Sequence, residues 1–134
     1  MKTILDTGPL VALMNRRDRY HAWTLDALGR LDFPLWTCEP VLTEAAHLCG
    51  RPHEMTRMVA EGTLRLGLAV GDEAGALTRL LQRWAGRMDL ADACVVRMTE
   101  MYPACQVFTL DRQDFSVYRR NGRQVIPLLA PPFR

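Results

Sequence analysis

Residues 2–10, KTILDTGPL, predict a short strand that runs directly into a helix. The first residues are mostly apolar or β-branched, which favours a strand from Lys2 to Leu5. The next residues, DTGP, turn the chain, because Thr7 can cap a helix and Pro9 suits a first helical turn. This stretch therefore predicts the strand-to-helix step from which α/β proteins are built.

The same alternation of strands and helices continues along the rest of the chain. Turn residues separate short apolar segments throughout, and neither an internal repeat nor a linker interrupts them. We expect helices at about residues 9–15, 18–31, 39–49, 52–62, 72–85, 89–101 and 112–119, and strands at about 35–37, 64–70, 106–110 and, at a sheet edge, 125–128. The alternation predicts an α/β fold whose central, mainly parallel sheet is covered on both faces by helices.

Length and composition indicate one compact domain, residues 1–134, in the cytoplasm. Because 49% of the residues are hydrophobic, the chain can bury a core, which excludes intrinsic disorder. No run approaches the roughly 20 apolar residues of a membrane span, and the N-terminus lacks the pattern of a secretory signal. The formal net charge of +2 does not by itself indicate nucleic-acid binding. Every basic residue except Lys2 is an arginine, which suits phosphate contacts but also follows from a GC-rich genome.

Aspartates follow two of the predicted strands. Asp6 comes directly after the first strand, and Asp111 directly after the strand at 106–110. In open parallel sheets, functional residues gather beyond the carboxyl ends of the strands, so both side chains are expected at the same rim. A single aspartate in such a place is usually a helix cap, whereas two at one rim favour a shared site.

Glu44 is predicted to point inward from a helix. Helical spacing places Val41 three residues before it and Leu48 four residues after it, so Glu44 shares their apolar face. Burying an isolated charge costs several kcal/mol. Glu44 must therefore be protonated, paired with an arginine or bound to a cation, and the sequence leaves these alternatives open.

Asp92 shows the same pattern at the start of the helix at 89–101. Val95 and Val96 lie three and four residues after it, which turns its carboxylate toward the core. Asp89, one turn earlier, suits the position of the helix cap. Asp89 can also add a supporting contact to the site.

The four inward carboxylates of Asp6, Glu44, Asp92 and Asp111 cannot all be ionised in one pocket without a counter-ion. Clustered carboxylate oxygens suit Mg²⁺ or Mn²⁺. Such a cation can activate water and stabilise charge on a phosphodiester oxygen. The residues by themselves thus indicate metal-dependent hydrolysis of phosphate esters.

Four segments of the chain resemble the motifs of the PIN-domain family, and within it the VapC-type ribonuclease toxins of toxin–antitoxin modules. In chain order they are ILDTGPL at 4–10, LTEA at 42–45, MDLADA at 88–93 and TLDRQDF at 109–115. Each segment is weak alone, whereas the ordered set, which spans almost the full length, is specific. The resemblance implies a three-layer α/β/α fold in which residues 1–134 form a single PIN domain.

The resemblance also implies an activity, partners and a site. Family members are typically Mg²⁺- or Mn²⁺-dependent endoribonucleases, are often homodimers, and have a VapB-type antitoxin as their partner. Both catalysis and metal binding are implied for Asp6, Glu44, Asp92 and Asp111. Asp92 is favoured over Asp89 as the third acid, which leaves Asp89 a supporting role. Contacts that steady the site or hold substrate are implied for Thr7, Thr109 and Arg112. Asp114 matches a further acid of the family or caps a helix.

Further arginines are candidates for contacts with RNA phosphates. They are Arg16, Arg17, Arg19, Arg119, Arg120 and Arg123. Surface solvation also explains them, and Arg112 is the strongest candidate because it adjoins Asp111. Two alternatives to a toxin stay open: a PIN-like RNA-binding or interaction module without catalysis, and a housekeeping RNA-processing nuclease.

Overall fold

The structure is a computed structural model and describes residues 1–132. Its helices are α1 (Thr7–Met14), α2 (His21–Leu28), α3 (Glu39–Cys49), α4 (Pro52–Ala60), α5 (Val70–Arg83), α6 (Leu90–Met101) and α7 (Arg112–Phe115). Its strands are β1 (Lys2–Leu5), β2 (Leu35–Thr37), β3 (Leu64–Leu66), β4 (Cys105–Phe108), β5 (Arg119–Arg120), β6 (Gln124–Val125) and β7 (Leu128–Leu129). The predicted alternation of strands and helices is thus confirmed through β4.

Five parallel strands form the central sheet, in the order β3-β2-β1-β4-β7. On β1, Ile4 lies opposite Trp36 of β2, and Leu5 lies opposite Phe108 of β4. Helices flank this sheet and give a three-layer α/β/α architecture. The predicted α/β fold with a mainly parallel central sheet is confirmed.

The winding direction of the sheet changes between β1 and β4. From β1 the chain builds outward through β2 to β3, and it then returns to place β4 on the other side of β1. Such a switch leaves a crevice beyond the carboxyl ends of the two central strands, where ligands bind in open α/β sheets. Asp6 follows β1, and the segment 109–111 follows β4, so both predicted rim aspartates border this crevice.

Helix α6 contributes more buried residues to the core than any other described helix, and it packs against both β1 and β4. Its fully buried residues are Ala93, Cys94, Val95, Val96, Met98 and Thr99. On the strands, Ile4, Val107 and Phe108 are equally buried. A helix that is apolar on nearly all sides is typical of a core element. Because α6 is held so firmly, the position of Asp92 in its first turn is set by core packing.

The strand predicted at 64–70 and the helix predicted at 18–31 are both longer than the observed elements. The strand expected at 64–70 ends at Leu66, and α5 begins at Val70. A continuous apolar run does not reveal by its periodicity where a strand gives way to a helix. The helix expected at 18–31 is only His21–Leu28, because Asp18 accepts the backbone N–H of Tyr20 (2.8 Å) in a turn that precedes it.

The edge strand predicted at 125–128 is wrong in its position. Val125 pairs with Arg119 in a separate antiparallel hairpin of β5 and β6, and the edge of the central sheet is β7. The hairpin turns at Asn121 and Gly122, which have φ values of 52° and 83°. An Asn-Gly pair is a strong sequence signal for such a turn. The hairpin also explains why α7 ends at Phe115 rather than at residue 119.

Among residues 1–132, no helix combines the length and apolar character that a bilayer crossing requires. The longest helix, α5, has 14 residues, whereas a span needs roughly 20.

Candidate active site

Acidic side chains line an open cavity at the switch point between β1 and β4. The cavity has a volume of about 590 Å³ and is lined by the acids Asp6, Asp18, Glu44, Asp89, Asp92, Asp111 and Asp114. The four acids that the sequence predicted to converge are all among them. Arg87 is the only basic residue in this lining. We call this space the acidic cavity.

Asp6 is the most deeply set of these acids, with 7% of its surface exposed. Its backbone N–H donates to the carbonyl of Phe108 (3.0 Å), which ties the end of β1 to the end of β4. Asp6 occupies the cap position of α1, yet its side chain caps no backbone N–H. Its Oδ2 instead accepts a hydrogen bond from the Thr109 hydroxyl (2.7 Å). The carboxylate is therefore oriented toward β4 and the cavity.

Thr109 connects the first and the fourth acid. Its Oγ1 donates to Asp6 and accepts the backbone N–H of Asp111 (2.9 Å). Thr109 has no exposed surface, so it supports the site from behind. The implied steadying role agrees with this position, whereas direct contact between Thr109 and a substrate is excluded by its burial.

Asp92 is held by a capping box and by a tyrosine. Asp89 caps α6 by accepting the backbone N–H of Asp92 (2.8 Å), and Asp92 Oδ2 lies 3.5 Å from the backbone N–H of Asp89. The Tyr118 hydroxyl donates to the same Oδ2 (3.0 Å). The prediction that Asp89 caps α6 is confirmed, and the Asp92 carboxylate lies on the cavity side, as predicted.

Glu44 reaches the acidic cavity from the middle of α3 and is half-buried. The predicted apolar face is only half correct, because Val41 is fully buried but Leu48 is 60% exposed. Leu48 borders the cavity itself, which interrupts the core on that side. Within residues 1–132, Glu44 forms no ion pair, so the alternative of a salt bridge to an arginine is not what the structure contains.

Asp111, and not Asp114, caps α7, so the expected alternative of a helix cap for Asp114 is wrong. Asp111 is the cap of α7 and accepts the backbone N–H of Asp114 (3.0 Å). Asp114 is not a cap; it accepts a hydrogen bond from Arg87 Nε (2.8 Å). Asp111 thus combines the cap role, which the sequence favoured for a single aspartate, with a place in the cavity lining.

The pKa values of three cavity acids are raised. Burial is the largest cause for Asp6, whose pKa rises to about 6 against the lowering effect of the Thr109 hydrogen bond, and nearby Asp111 and Glu44 raise it further. Burial and then Asp89 raise the pKa of Asp92 to about 7, opposed by Tyr118. Partial burial of its carboxyl group also raises the pKa of Asp111. The cavity therefore disfavours carboxylate charge until a cation offsets it.

Of two predicted substrate contacts, Arg112 does not line the cavity, whereas Thr7 lines it from an unexpected position in α1. Arg112 donates from Nε to the carbonyl of Pro131 (2.9 Å) and from Nη2 to that of Ala130 (2.8 Å). These bonds turn its guanidinium toward the C-terminal segment. Thr7 lies inside α1 rather than at its cap, is 6% exposed, and its hydroxyl has no partner among the described residues. Thr7 does line the cavity.

The donor set fits a hard divalent cation. Asp6, Glu44 and Asp92 offer carboxylate oxygens in one cavity, and its single arginine is paired with Asp114 rather than with them. Mg²⁺ and Mn²⁺ favour such oxygen ligands. In the described part of the chain, no three Asp, Glu, His or Cys side chains already form a ligating group.

Tyr118 and Arg87 belong to the site but were not predicted. Tyr118 is fully buried and reaches Asp92 from a segment that follows α7. No motif links these two positions. Arg87 stands just before the MDLADA segment, and its ion pair with Asp114 forms only when the segment that precedes α6 lies against α7.

Comparison of the chain with protein-family models and with curated proteins gave no match.

Proposed function

We propose that this protein is a metal-dependent endoribonuclease that hydrolyses RNA phosphodiester bonds. The observation that carries the proposal is the convergence of Asp6, Glu44, Asp92 and Asp111 in one open acidic cavity at the switch point of a parallel sheet. Carboxylates at such a place that have no basic side chain paired with them are typical of sites for divalent metals. The ordered motifs described above favour RNA as the substrate.

Asp6 and Asp92 are the main proposed ligands of Mg²⁺ or Mn²⁺, with Glu44 and Asp111 completing the set. The bound cation supplies charge neutralisation and lowers the pKa of water in the site. Thr109 and Tyr118 orient the carboxylates of Asp6 and Asp92 through hydrogen bonds of 2.7 Å and 3.0 Å. Asp89 supports Asp92 through the capping box.

Cleavage of a mixed-sequence RNA, followed with Mn²⁺, Mg²⁺ or a chelator, tests the activity. We expect cleavage with either cation, none with the chelator, and a loss of at least about a hundredfold in Asp6→Asn. Asp26→Asn is the matched control, because Asp26 is an exposed acid on α2, paired only with Arg30 and outside the acidic cavity.

The outcomes separate the candidate functions. Cleavage that is indifferent to the chelator, or that persists in Asp6→Asn, contradicts the metal-dependent mechanism. RNA binding without cleavage under all conditions favours the alternative of a binding module whose acids only hold structure.

A narrower proposal is that the protein is the cytoplasmic toxin of a VapBC pair, with a VapB-type antitoxin as partner and a homodimer as its assembly. This proposal is supported by the motif resemblance alone. Induced expression in a bacterium should arrest growth, and co-expression of a small open reading frame adjacent to the gene should relieve the arrest. Normal growth of cells that contain active nuclease favours a housekeeping role, and sedimentation of the purified chain tests the dimer.

A further inference from the structure

The acidic cavity cannot hold RNA by charge attraction, because it repels phosphates wherever no cation is bound. Basic groups elsewhere must supply that attraction. Several predicted candidates are engaged within the protein. Arg112 holds the C-terminal segment, Arg119 donates to the carbonyls of residues 116–118, and Arg120 donates to the carbonyls of Thr99 and Pro103.

A second cleft collects arginines that make no such bonds. It lies where α1 ends and has a volume of about 750 Å³. Its basic residues are Arg16, Arg17, Arg51 and His21, and its lining contains no acid. We call it the arginine cleft. Arg51 was not among the sequence-predicted phosphate contacts, because it belongs to the separate segment between α3 and α4.

The three guanidinium groups of the cleft are available to a ligand. Arg16, Arg17 and Arg51 are exposed, and within residues 1–132 none forms an ion pair or a side-chain hydrogen bond. The acid nearest in sequence to Arg51 is Glu54, whose carboxylate is bound by Arg57. His21 Nδ1 lies 2.7 Å from the carbonyl of Ala12, which fixes its ring at the cleft wall.

The arginine cleft adjoins the acidic cavity. Gly8 and Val11 of α1 line the acidic cavity, and residues 13–14 of the same helix line the cleft. On α3, Leu48 lines the cavity, and Arg51 follows the end of this helix. Because an α-helix rises about 1.5 Å per residue, the residues of α1 that line the two spaces are about 3–9 Å apart along the helix axis. A single strand can occupy both within a few nucleotides.

We propose that the arginine cleft binds the phosphodiester backbone of single-stranded RNA and thereby presents the adjoining segment to the acidic cavity. This inference rests on the proposed function for the choice of RNA as ligand. Guanidinium groups suit bidentate contacts with phosphate oxygens. Arg16, Arg17 and Arg51 are accordingly binding residues that act on affinity, while the acids of the cavity act on cleavage.

Binding is tested without cleavage by fluorescence anisotropy of a labelled single-stranded oligouridine, over a series of NaCl concentrations in the presence of chelator. Each contact with a single-strand phosphate contributes about 0.7 to the slope of log K against log salt concentration. We expect the triple variant Arg16→Gln, Arg17→Gln, Arg51→Gln to bind at least about tenfold more weakly, with a slope smaller in magnitude by about 2. Its melting temperature should match that of the native chain, because these side chains have no internal partners.

The matched control is Arg30→Gln, Arg79→Gln, Arg83→Gln. It removes the same formal charge at exposed positions just after α2 and on α5, outside both the cleft and the cavity. Equal weakening of RNA binding in both triple variants, or unchanged affinity and slope in the cleft variant, overturns the proposal.

A kinetic test applies if cleavage is observed with Mn²⁺. The cleft variant should then have a higher KM and a nearly unchanged kcat. Failure of the proposed ribonuclease activity alone leaves the chelated binding measurement intact, so the two proposals fail separately.

Discussion

At the residue scale, Asp6 combines deep burial with the proximity of other acids. The folded chain raises its pKa from 3.8 to about 6, so the folded state binds the proton more tightly than the unfolded chain does. At pH values below 3.8, Asp6 is mostly protonated in both the folded and the unfolded chain, so its burial as a charge costs no stability. As the pH rises from 3.8 to about 6, Asp6 ionises more readily in the unfolded chain than in the folded one, and the free energy of unfolding falls. At pH values above the folded pKa, the full cost of burying the ionised carboxylate is present.

Asp6→Asn should therefore stabilise the metal-free protein in alkaline solution while abolishing cleavage. A pKa unit corresponds to about 1.4 kcal/mol, so we expect a gain of about 1–3 kcal/mol near pH 8 and little gain near pH 4. Urea unfolding with chelator at both pH values measures this gain. A destabilisation near pH 8 contradicts the charge argument, and Asp26→Asn, at an exposed ion pair, should change stability by less than about 0.5 kcal/mol at either pH.

Thr24 is a second residue whose environment does not suit it. It is fully buried in α2, its hydroxyl has no partner among the described residues, and it lines a cavity of about 180 Å³ whose other lining residues, apart from Thr63, are apolar. A buried hydroxyl without a partner loses its hydrogen bonds to water and gains none.

Thr24→Val keeps the shape of the side chain and removes the hydroxyl, so it should raise the free energy of unfolding by about 1 kcal/mol. Thr24→Ser keeps the hydroxyl and removes a methyl group, and it should lower this free energy by a similar amount. Chemical denaturation of the three proteins gives the ranking. A valine variant less stable than the native chain shows that the hydroxyl has a partner in solution.

At the element scale, the first turn of α6 serves both the helix and the candidate site. Asp89 and Asp92 form its capping box, and Tyr118 holds Asp92 from another element. A cap needs only a side-chain oxygen, which asparagine also offers, whereas a metal ligand of this kind needs a carboxylate. The two roles are therefore separable by substitution.

Asp89→Ala should lower the free energy of unfolding by about 1 kcal/mol, and Asp89→Asn should leave it nearly unchanged. We expect Asp89→Asn to keep its Mn²⁺-dependent cleavage and Asp92→Asn to lose it. Thermal melting and RNA cleavage of the three variants provide the comparison. Loss of cleavage in a stable Asp89→Asn protein identifies Asp89 as a ligand and contradicts the assignment to Asp92.

At the scale of the whole molecule, Arg112 connects α7 to the far edge of the central sheet. Its bonds to the carbonyls of Ala130 and Pro131 hold the segment that follows β7. β7 in turn accepts the backbone N–H of Thr109 at the carbonyl of Leu129 (3.1 Å). The two hydrogen bonds of Arg112, which act as a clamp on residues 130–131, are thus connected through β7 and Thr109 to the carboxylate of Asp6.

Arg112→Met should lower the free energy of unfolding by about 1–3 kcal/mol, because it removes charged donors from two carbonyls. Amide hydrogen exchange at Thr109 should accelerate, since β7 loses its anchor. Arg123→Met is the control, at an exposed position in the β5–β6 loop. Unchanged exchange at Thr109 contradicts the connection between the clamp and β4.

Much of this organisation could be predicted from local patterns. Strand-to-helix steps such as residues 2–10 depend on neighbouring residues, so the parallel fold and the rim positions of Asp6 and Asp111 followed from them. The cap role of Asp89 is equally local. The hairpin at Asn121 and Gly122 was missed although its signal is local.

Other features depend on contacts between segments that no local pattern connects. The hydrogen bonds of Thr109 to Asp6 and of Tyr118 to Asp92, and the clamp formed by Arg112, each exist because the sheet order brings distant segments together. The exposure of Leu48 has the same origin. The succession of elements and the kinds of side chain at the rim are encoded in short-range periodicity, whereas the partners, burial and pKa of each acid arise only when the layers pack, since they depend on groups that are far apart along the chain.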